Sequence, residues 1–257
     1  MNINFELNPP KLVKAEHFDA VILREGIQHL VERAEKLVGY VSGIHLTDSV
    51  LGIPRVSSLT AACFIIKNVA RHPAISCSVR TRDRNFTSIC QFVSDAILLG
   101  VDSLLFLMGD EPSDGPKDSG LKPSDALNML KLERYNESIN LDLTVPSAVT
   151  HASSIRKKIK AQPRAFVTQS ISSLSDLDNI ARIAKSNDIK VVACIMIPAE
   201  KNRFSADTIG LNWEEYAKNP VDFVLKAAKI ADEVTLTSPG SFSIGLEFLK
   251  QLHYSRI

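Results

Sequence analysis

The sequence has no long apolar segment, almost no excess of either charge and no leader-like start. Its 30 Lys and Arg residues nearly balance 29 Asp and Glu residues, for a formal net charge of +1. A balanced charge gives no indication of a nucleic acid as partner. The amino terminus MNINFELNPPK lacks a basic start followed by an apolar core, and apolar runs such as SLLFLM are too short to cross a membrane. We therefore expect a cytoplasmic protein with neither a membrane nor a nucleic acid as partner.

The sequence also lacks several sets of residues that mark particular chemistries. Its four cysteines form no CxxC pair and fit no zinc module, so we expect reduced thiols. No GxGxxG follows the first strand-like run, which removes the main support for an open dinucleotide-binding sheet. Neither a GxSxG motif nor a P-loop is present. No set of His, Asp and Glu has the spacing of metal ligands, so we predict no metal.

What the sequence does contain is a regular alternation of strand-like and helix-like segments along its 257 residues. The strand-like runs are 3–7, 43–47, 75–81, 103–108, 140–145, 165–170, 190–197 and 233–237. The helical segments between and after them are 18–38, 57–69, 86–99, 125–135, 152–160, 174–184, 213–231 and 243–252. Such alternation predicts parallel strands joined by helical crossovers, and the length is typical of a closed barrel. The sequence therefore predicts one α/β domain over residues 1–257, a (β/α)8 TIM barrel.

Two longer segments without a helical pattern, 109–122 and 198–212, each follow a strand-like run. Segments that follow the strands of a barrel lie over its mouth, where lids and binding loops are found. We expect both segments to lie there.

Several strand-like runs end on a side chain that can bind or react: Glu6, Thr47, Arg80, Asp110 and Gln169. The core of a barrel has no use for a carboxylate or an amide at a strand end. A barrel enzyme does, because its active site is built from the carboxyl ends of its parallel strands. We expect Glu6, Thr47, Asp110 and Gln169 to line one cavity.

Side-chain alternation supports this expectation, because successive residues of a strand face opposite sides of the sheet. The side that faces the helices must be apolar, so the more polar set should point into the barrel lumen. These sets are Asn4 and Glu6; His45 and Thr47; Ser76, Ser78 and Arg80; Phe106, Met108 and Asp110; Ala165, Val167 and Gln169. We interpret His45 as a hydrogen-bonded interior histidine rather than as a ligand.

Each polar strand end has both a functional and a structural interpretation. Glu6 is a candidate general acid, because partial burial raises the pKa of a carboxyl group, but it could also pair with an arginine such as Arg80. Asp110 could cap a loop, and Gln169 could fill an interior hydrogen-bonding position. A set of cationic residues could bind an anionic group or form structural ion pairs: Arg55, Arg80, Arg82, Arg84 and Lys201.

Four short motifs resemble those of the methylenetetrahydrofolate reductases. FELNPPK is similar to the start of that family's barrel, TRDRN to its third-strand segment, GDEP to its fourth-strand motif and FVTQ to its sixth-strand motif. The resemblance implies reduction of methylenetetrahydrofolate, or of a related methylene-pterin, to the 5-methyl form. It implies Glu6 and Asp110 as catalytic residues, with Gln169, Asp110 and Thr47 binding the substrate.

The same resemblance implies FAD as cofactor and NADH, NADPH or a partner protein as electron donor. The residues that it places around the cofactor are Thr47, Arg80, Thr81, Asp83, Asn85, Gly109, Asp110 and His151. Two alternatives stay open: a pterin-dependent methyltransferase or demethylase that needs no flavin, and a non-catalytic barrel within a larger complex. Because exposed barrel helices commonly pair, we also expect a homo-oligomer.

Overall fold

A computed structural model of the protein describes residues 1–12, 19–111 and 118–255. Its strands form a closed parallel barrel in chain order, which confirms the predicted (β/α)8 fold. The strands are β1 (Asn2–Leu7), β2 (Gly43–Leu46), β3 (Ala74–Arg80), β4 (Ser103–Leu107), β5 (Asn140–Val145), β6 (Ala165–Thr168), β7 (Lys190–Met196) and β8 (Glu233–Thr237).

The α-helices of the described ranges lie between these strands and after the last one. They are α1 (Ala20–Leu37), α2 (Ser58–Asn68), α3 (Phe86–Leu99), α4 (Pro123–Leu132), α5 (Arg156–Ala161), α6 (Leu174–Lys185), α7 (Arg203–Thr208), α8 (Glu214–Ala217), α9 (Pro220–Ile230) and α10 (Phe242–Tyr254). Short 3-10 helices occupy Val50–Gly52, Tyr135–Glu137, Ala152–Ile155 and Glu200–Asn202.

The contacts within the chain group its residues into two compact units. One, which we call the terminal unit, comprises Met1–Glu6, Gly39–Gly43 and Thr144–Ile257. The other, which we call the central unit, comprises Leu7–Val38 and Ile44–Leu143. The assignment of residues 1–257 to one domain stays a prediction.

Local signals in the sequence explain where several helices begin and end. The Ser57 hydroxyl accepts a hydrogen bond from the Thr60 amide at the start of α2, and Asn85 accepts one from the Ser88 amide at the start of α3. Gly100 ends α3 with a φ of +77°, in the left-handed region that glycine adopts at little cost. These caps occur at the boundaries that the sequence predicted for both helices.

Predicted segments that differ from the structure include 213–231, 198–212 and the helix 152–160, which begins as a 3-10 helix. The predicted helix 213–231 is divided into α8 and α9, because the residue before Pro220 is disfavoured in helical conformation and Asn219 caps the new helix by accepting from the Asp222 amide. The segment 198–212 contains a 3-10 helix and α7. Residues 112–117 of the segment 109–122, and Phe18 at the predicted start of the first helix, lie outside the described residues.

In the terminal unit, the contacts of Phe5 show which side of β1 faces the helices. Its ring lies edge-on to Phe242 of α10 at 6.1 Å, and a side chain at Gly245 of the same helix would come within 2.5 Å of it. Asn4 and Glu6 therefore point to the opposite side, into the lumen. The predicted alternation of β1 is confirmed.

In the central unit, the predicted alternation of β4 is wrong. The register pairs Phe106 with Val79, whereas Leu105 pairs with Ser78 and so shares the polar face of β3. Phe106 therefore does not point into the lumen, and Met108 lies beyond the end of the strand. The reason is that Ser103–Leu107 is apolar on both faces, so its sequence carries no alternating signal. Alternation also does not extend to Asp110, which lies beyond the strand.

No helix within the described residues is long and apolar enough to cross a membrane. All four cysteines are free, in agreement with the expected reduced thiols.

Candidate functional site

The terminal unit holds a carboxylate near the carboxyl end of its first strand. Glu6 is partly buried, and Oγ1 of Thr237, the last residue of β8, donates a hydrogen bond of 2.7 Å to its Oε1. The two side chains meet because β1 and β8 are paired in parallel, with Phe5 opposite Leu236. The hydrogen bond fixes one carboxylate oxygen at the carboxyl ends of two strands, where barrel enzymes have their active sites.

A half-buried thiol lies near this carboxylate. Burial raises the pKa of Cys194 on β7 to about 12, with a further contribution in the same direction from the negative charge of Glu6. The Ser170 hydroxyl is 3.8 Å from its sulfur. Because only a thiolate is a good nucleophile, Cys194 is an inert neutral thiol and Glu6 is the group with acid–base capacity.

Gln169 and His151, both implied as ligand-binding residues, also lie just after strands of the terminal unit. The Gln169 amide donates to the Val145 carbonyl at 2.9 Å, and its side chain is exposed. The His151 side chain is exposed as well, while its carbonyl accepts from the Ser154 hydroxyl at 2.7 Å. Both side chains are accessible from solvent, and their binding roles stay predictions.

In the central unit, Arg80 at the end of β3 holds three loops together. Its side chain is only 2% exposed. It donates to the Ser49 carbonyl at 3.0 Å and to the Asp110 carbonyl at 2.9 Å, and it lies 3.2 Å from an oxygen of Asp83. Gly109 lies directly against it, since a Cβ on that glycine would be 2.7 Å from Nε of Arg80. The guanidinium group therefore has a structural role in this loop arrangement.

The neighbouring arginines are also engaged within the protein. Arg84 lies 2.9 Å from a carboxylate oxygen of Asp48, and Arg82 donates to the Gly109 carbonyl at 2.9 Å. Arg55 donates to the Pro9 carbonyl at 2.7 Å. These contacts support the structural interpretation of the arginines.

Thr47 and Asp110 both stabilise the chain around the loop after β2. Thr47 is buried and donates to Oδ1 of Asn8 at 2.7 Å. Asp110 is exposed, and its Oδ2 accepts from the Leu51 amide at 2.7 Å. Leu51 has a φ of +58°, which is costly for a residue with a branched side chain, so Asp110 holds a strained turn. This contact agrees with the interpretation of Asp110 as a loop cap.

Thr81 and Asn85 have local partners too. Thr81 is fully buried with its hydroxyl 3.7 Å from the sulfur of Met108, and Asn85 caps α3. Their side chains, like those of Arg80 and Asp110, are explained by contacts within the central unit. The implied cofactor contacts of these residues and of Asp83 and Gly109 stay predictions.

His45 in the lumen of the central unit is an interior hydrogen-bonded histidine, as interpreted from the sequence. Nδ1 lies 2.8 Å from the Ser76 hydroxyl, and Nε2 lies 2.9 Å from the Ser78 hydroxyl. Burial lowers the pKa of His45 to about 4. The ring is therefore neutral at physiological pH and joins β2 to β3 through two hydrogen bonds.

The structure adds two residues that the sequence analysis did not select. Thr237 is a polar residue at the end of a strand, and Thr47 was selected for a similar position. The position of Thr237 in the sequence would therefore have been sufficient to select it. Lys158 of α5 donates from Nζ to the Thr144 carbonyl near the carboxyl end of β5. No sequence signal identifies it, because it lies among Arg156, Lys157 and Lys160 in an ordinary basic helix.

The expected shared cavity is not tested, because its members belong to different units. Thr47 and Asp110 lie in the central unit, and Glu6 and Gln169 lie in the terminal unit. Within the described ranges no group of three or more His, Cys, Asp and Glu residues could hold a metal ion.

The fold and this arrangement define a (β/α)8 barrel with a positioned carboxylate at the ends of β1 and β8. The chain matches no protein-family model and no curated protein. A solved structure described as QR15, an aldolase, shares 15% sequence identity, with coverage of 96% of this chain and 94% of that chain and a TM-score of 0.57.

Two solved tryptophan synthase complexes are also similar. The one from Pyrococcus furiosus has 13% identity, a TM-score of 0.56 and coverage of 98% of this chain and 94% of the other. The one from M. tuberculosis has 12% identity, a TM-score of 0.54 and coverage of 98% and 89%. At such low identity the likeness shows the fold alone.

The predicted folate reductase function is wrong, and the oxidoreductase and flavoprotein descriptions and the pterin methyl-transfer alternative fall with it. No family model supports the resemblance, and the similar structures are described as aldolase and tryptophan synthase. The structure offers a physical reason for the misleading motifs. Asn85 of TRDRN caps a helix, and Asp110 of GDEP holds a turn, so these residues serve the barrel itself. Three expectations stay predictions: the binding of FAD, NADH or NADPH, a pterin or an electron-donor protein as partner, and a homo-oligomer.

Proposed function

We propose that the protein is an enzyme that uses Glu6 as a general acid–base to form or cleave a carbon–carbon bond beside a carbonyl group, as in aldol chemistry. The observation that carries this proposal is the hydrogen bond of 2.7 Å between Thr237 and Glu6 at the carboxyl ends of β8 and β1. This hydrogen bond gives the carboxylate a defined orientation. Proton transfer by such a positioned group contributes about 10²–10⁴-fold to a rate.

The type of reaction is suggested by chemistry and by fold. Aldol chemistry needs a proton removed from a hydroxyl group or from a carbon beside a carbonyl, and a carboxylate can take either proton. Two kinds of structure that share this fold are described as aldolase and tryptophan synthase. Because they share only the fold, they support the choice of the first reaction to test and say nothing about individual residues.

The test is proton exchange followed by NMR. The protein is incubated in D2O with pyruvate, acetaldehyde or dihydroxyacetone phosphate, and loss of the proton signal beside the carbonyl group is measured. We expect exchange above the rate without protein for at least one compound, and a loss of at least about 100-fold in the Glu6→Gln variant. Circular dichroism checks that the variant is folded.

Glu233→Gln is the matched control. Glu233 lies at the amino end of β8, where Asn4 donates to it at 2.9 Å and Arg164 at 3.0 Å. Residues at that end of a barrel contribute to stability rather than to catalysis. We expect this variant to be less stable but to exchange protons within about twofold of the wild-type rate, since no reacting group is removed. Absence of exchange with every compound would refute the proposed function, and a fully active Glu6→Gln variant would remove Glu6 from it.

A further inference from the structure

Lys158 occupies an unusual position for a lysine on a barrel helix. It lies in α5, which follows β5, and its side chain extends back to the carbonyl of Thr144, the residue before the last of that strand. The hydrogen bond places the amino group at the carboxyl end of β5, within the terminal unit that also contains Glu6. The side chain is partly buried, whereas Lys157 and Lys160 beside it are exposed.

The electrostatic surroundings favour the neutral amine at this position. The partner of Nζ is a neutral carbonyl oxygen, and no carboxylate of the described ranges lies within ion-pairing distance of it. Burial lowers the pKa of Lys158. A lysine that is desolvated in this way is the kind that acts as a nucleophile toward carbonyl compounds.

We propose that Lys158 is the amine that forms a Schiff base with the carbonyl group of the substrate. This inference rests on the proposed function and deepens it by naming the substrate class, a small aldehyde or ketone. The neutral amine of Lys158 attacks the carbonyl carbon, a C–N bond forms, and the carbonyl oxygen leaves as water after taking up two protons. The iminium ion then accepts the electron pair of the cleaved carbon–carbon bond, while Glu6 takes the proton of the substrate hydroxyl group, whose oxygen becomes the carbonyl oxygen of the released fragment.

The remaining steps complete the catalytic cycle without a change in the oxidation state of the protein. The enamine left after cleavage takes a proton on carbon, and water adds to the resulting iminium ion. The C–N bond then breaks, which releases the second carbonyl compound and the free amine. Lys158 has to release its hydrogen bond to the Thr144 carbonyl before its amine can attack. Thr144 therefore positions the amine in the protein without substrate.

Borohydride trapping tests the inference directly. The wild-type protein is mixed separately with pyruvate, acetaldehyde and dihydroxyacetone phosphate, sodium borohydride is added, and the protein is analysed by intact mass and peptide mapping. Reduction of a Schiff base adds the mass of the carbonyl compound less one oxygen atom. We expect this adduct at Lys158 in preference to every other lysine.

The variants separate reactivity from structure. Lys158→Arg keeps a charged donor for the Thr144 carbonyl but has no primary amine, so we expect a folded protein with no adduct and a loss of at least about 100-fold in proton exchange. Lys157→Arg is the control on the same helix and should trap at Lys158 as the wild type does.

The outcomes also separate this inference from the proposed function. Proton exchange by the wild type without an adduct at Lys158 overturns the Schiff-base inference and leaves Glu6 in place. An adduct at Lys158 without exchange or cleavage supports the reactive amine and overturns the proposed function. Absence of both overturns both.

Discussion

At the scale of single residues, the chemistry available to the terminal unit depends on which of its ionisable groups are charged and which are kept neutral by burial. Cys194 is a half-buried neutral thiol, and the nearby carboxylate of Glu6 is the group that can transfer a proton. The hydroxyl of Thr237 contributes to the orientation of that carboxylate. Glu233 shows the contrast at the other end of β8, where its carboxylate accepts a hydrogen bond from Asn4 and forms an ion pair with Arg164.

Substitution of Thr237 should reduce activity without unfolding the protein. Thr237→Val has nearly the same shape but cannot donate to Glu6. We expect kcat/KM to fall about 10- to 150-fold, because a hydrogen bond to a charged group contributes about 1.5–3 kcal/mol. Steady-state kinetics on the compound that exchanges fastest measures this. Thr237→Ser restores the hydroxyl and should recover most of the activity. Equal kinetics of the valine variant and the wild type would contradict a positioning role for Thr237.

At the scale of elements, the loops after β2, β3 and β4 in the central unit stabilise one another. Ser49 and Leu51 both have positive φ, of 46° and 58°, although neither is a glycine. Arg80 binds the Ser49 carbonyl, and Asp110 binds the Leu51 amide. The strained turn persists because Arg80 at the end of β3 and Asp110 beyond the end of β4 both bind it.

Gly109→Ala tests this arrangement. A Cβ at Gly109 would come within 2.7 Å of Nε and 2.9 Å of Cγ of Arg80, which cannot move aside without breaking its own hydrogen bonds. We expect a loss of about 3 kcal/mol in the free energy of unfolding, from backbone strain at a φ of +84° and the steric conflict together.

Gly100→Ala serves as the control for the backbone strain alone. Gly100 has a φ of +77°, and nothing lies within 4 Å of the position of its Cβ. We expect a loss of about 1 kcal/mol there. Urea denaturation measures both values, and equal losses for the two variants would show that Arg80 is not fixed against Gly109.

At the scale of the whole molecule, closure of the barrel leaves its strands without an exposed edge and buries polar side chains in the lumen. His45 is such a group, and its neutral ring is satisfied by Ser76 and Ser78. A buried histidine whose pKa is lowered to about 4 ties the stability of the protein to pH.

We expect stability to fall as the pH decreases from about 6.5 to about 4. The unfolded chain binds a proton at His45 near its ordinary pKa of 6.5, whereas the folded chain does not until about 4, so acid favours unfolding across this range. The contribution amounts to about 3 kcal/mol. Denaturation midpoints at several pH values measure it.

His45→Gln removes the titrating ring and keeps groups that can bond to the two serines, so its stability should depend less on pH over this range. The exposed His29 on α1 provides the control, since its substitution by Gln should leave the dependence as in the wild type. The same pH dependence in the His45→Gln variant and the wild type would show that protonation of His45 does not cause it.

The sequence by itself determined the elements and their order. Alternating segments of strand and helix lengths, helix caps such as Ser57 and Gly100, and the alternation of β1 are all local properties, because each depends on residues a few positions apart. They are sufficient to predict a parallel barrel of about this length. They also identified Glu6 at the end of the first strand.

Only the tertiary structure decided which groups meet. Thr237 and Glu6 are 231 positions apart. The contacts of Arg84 with Asp48, and of Arg80 with the Ser49 and Asp110 carbonyls, arise where separate loops come together. The sequence also could not show which side of β4 points into the lumen. Ser103–Leu107 is apolar on both sides, so only its pairing with neighbouring strands fixes the register. Short motifs could not supply this information, because residues that cap helices and turns in a barrel are of the same types as residues that form an active site. Burial and partners, which set the charge and orientation of each reactive group, are properties of the folded chain.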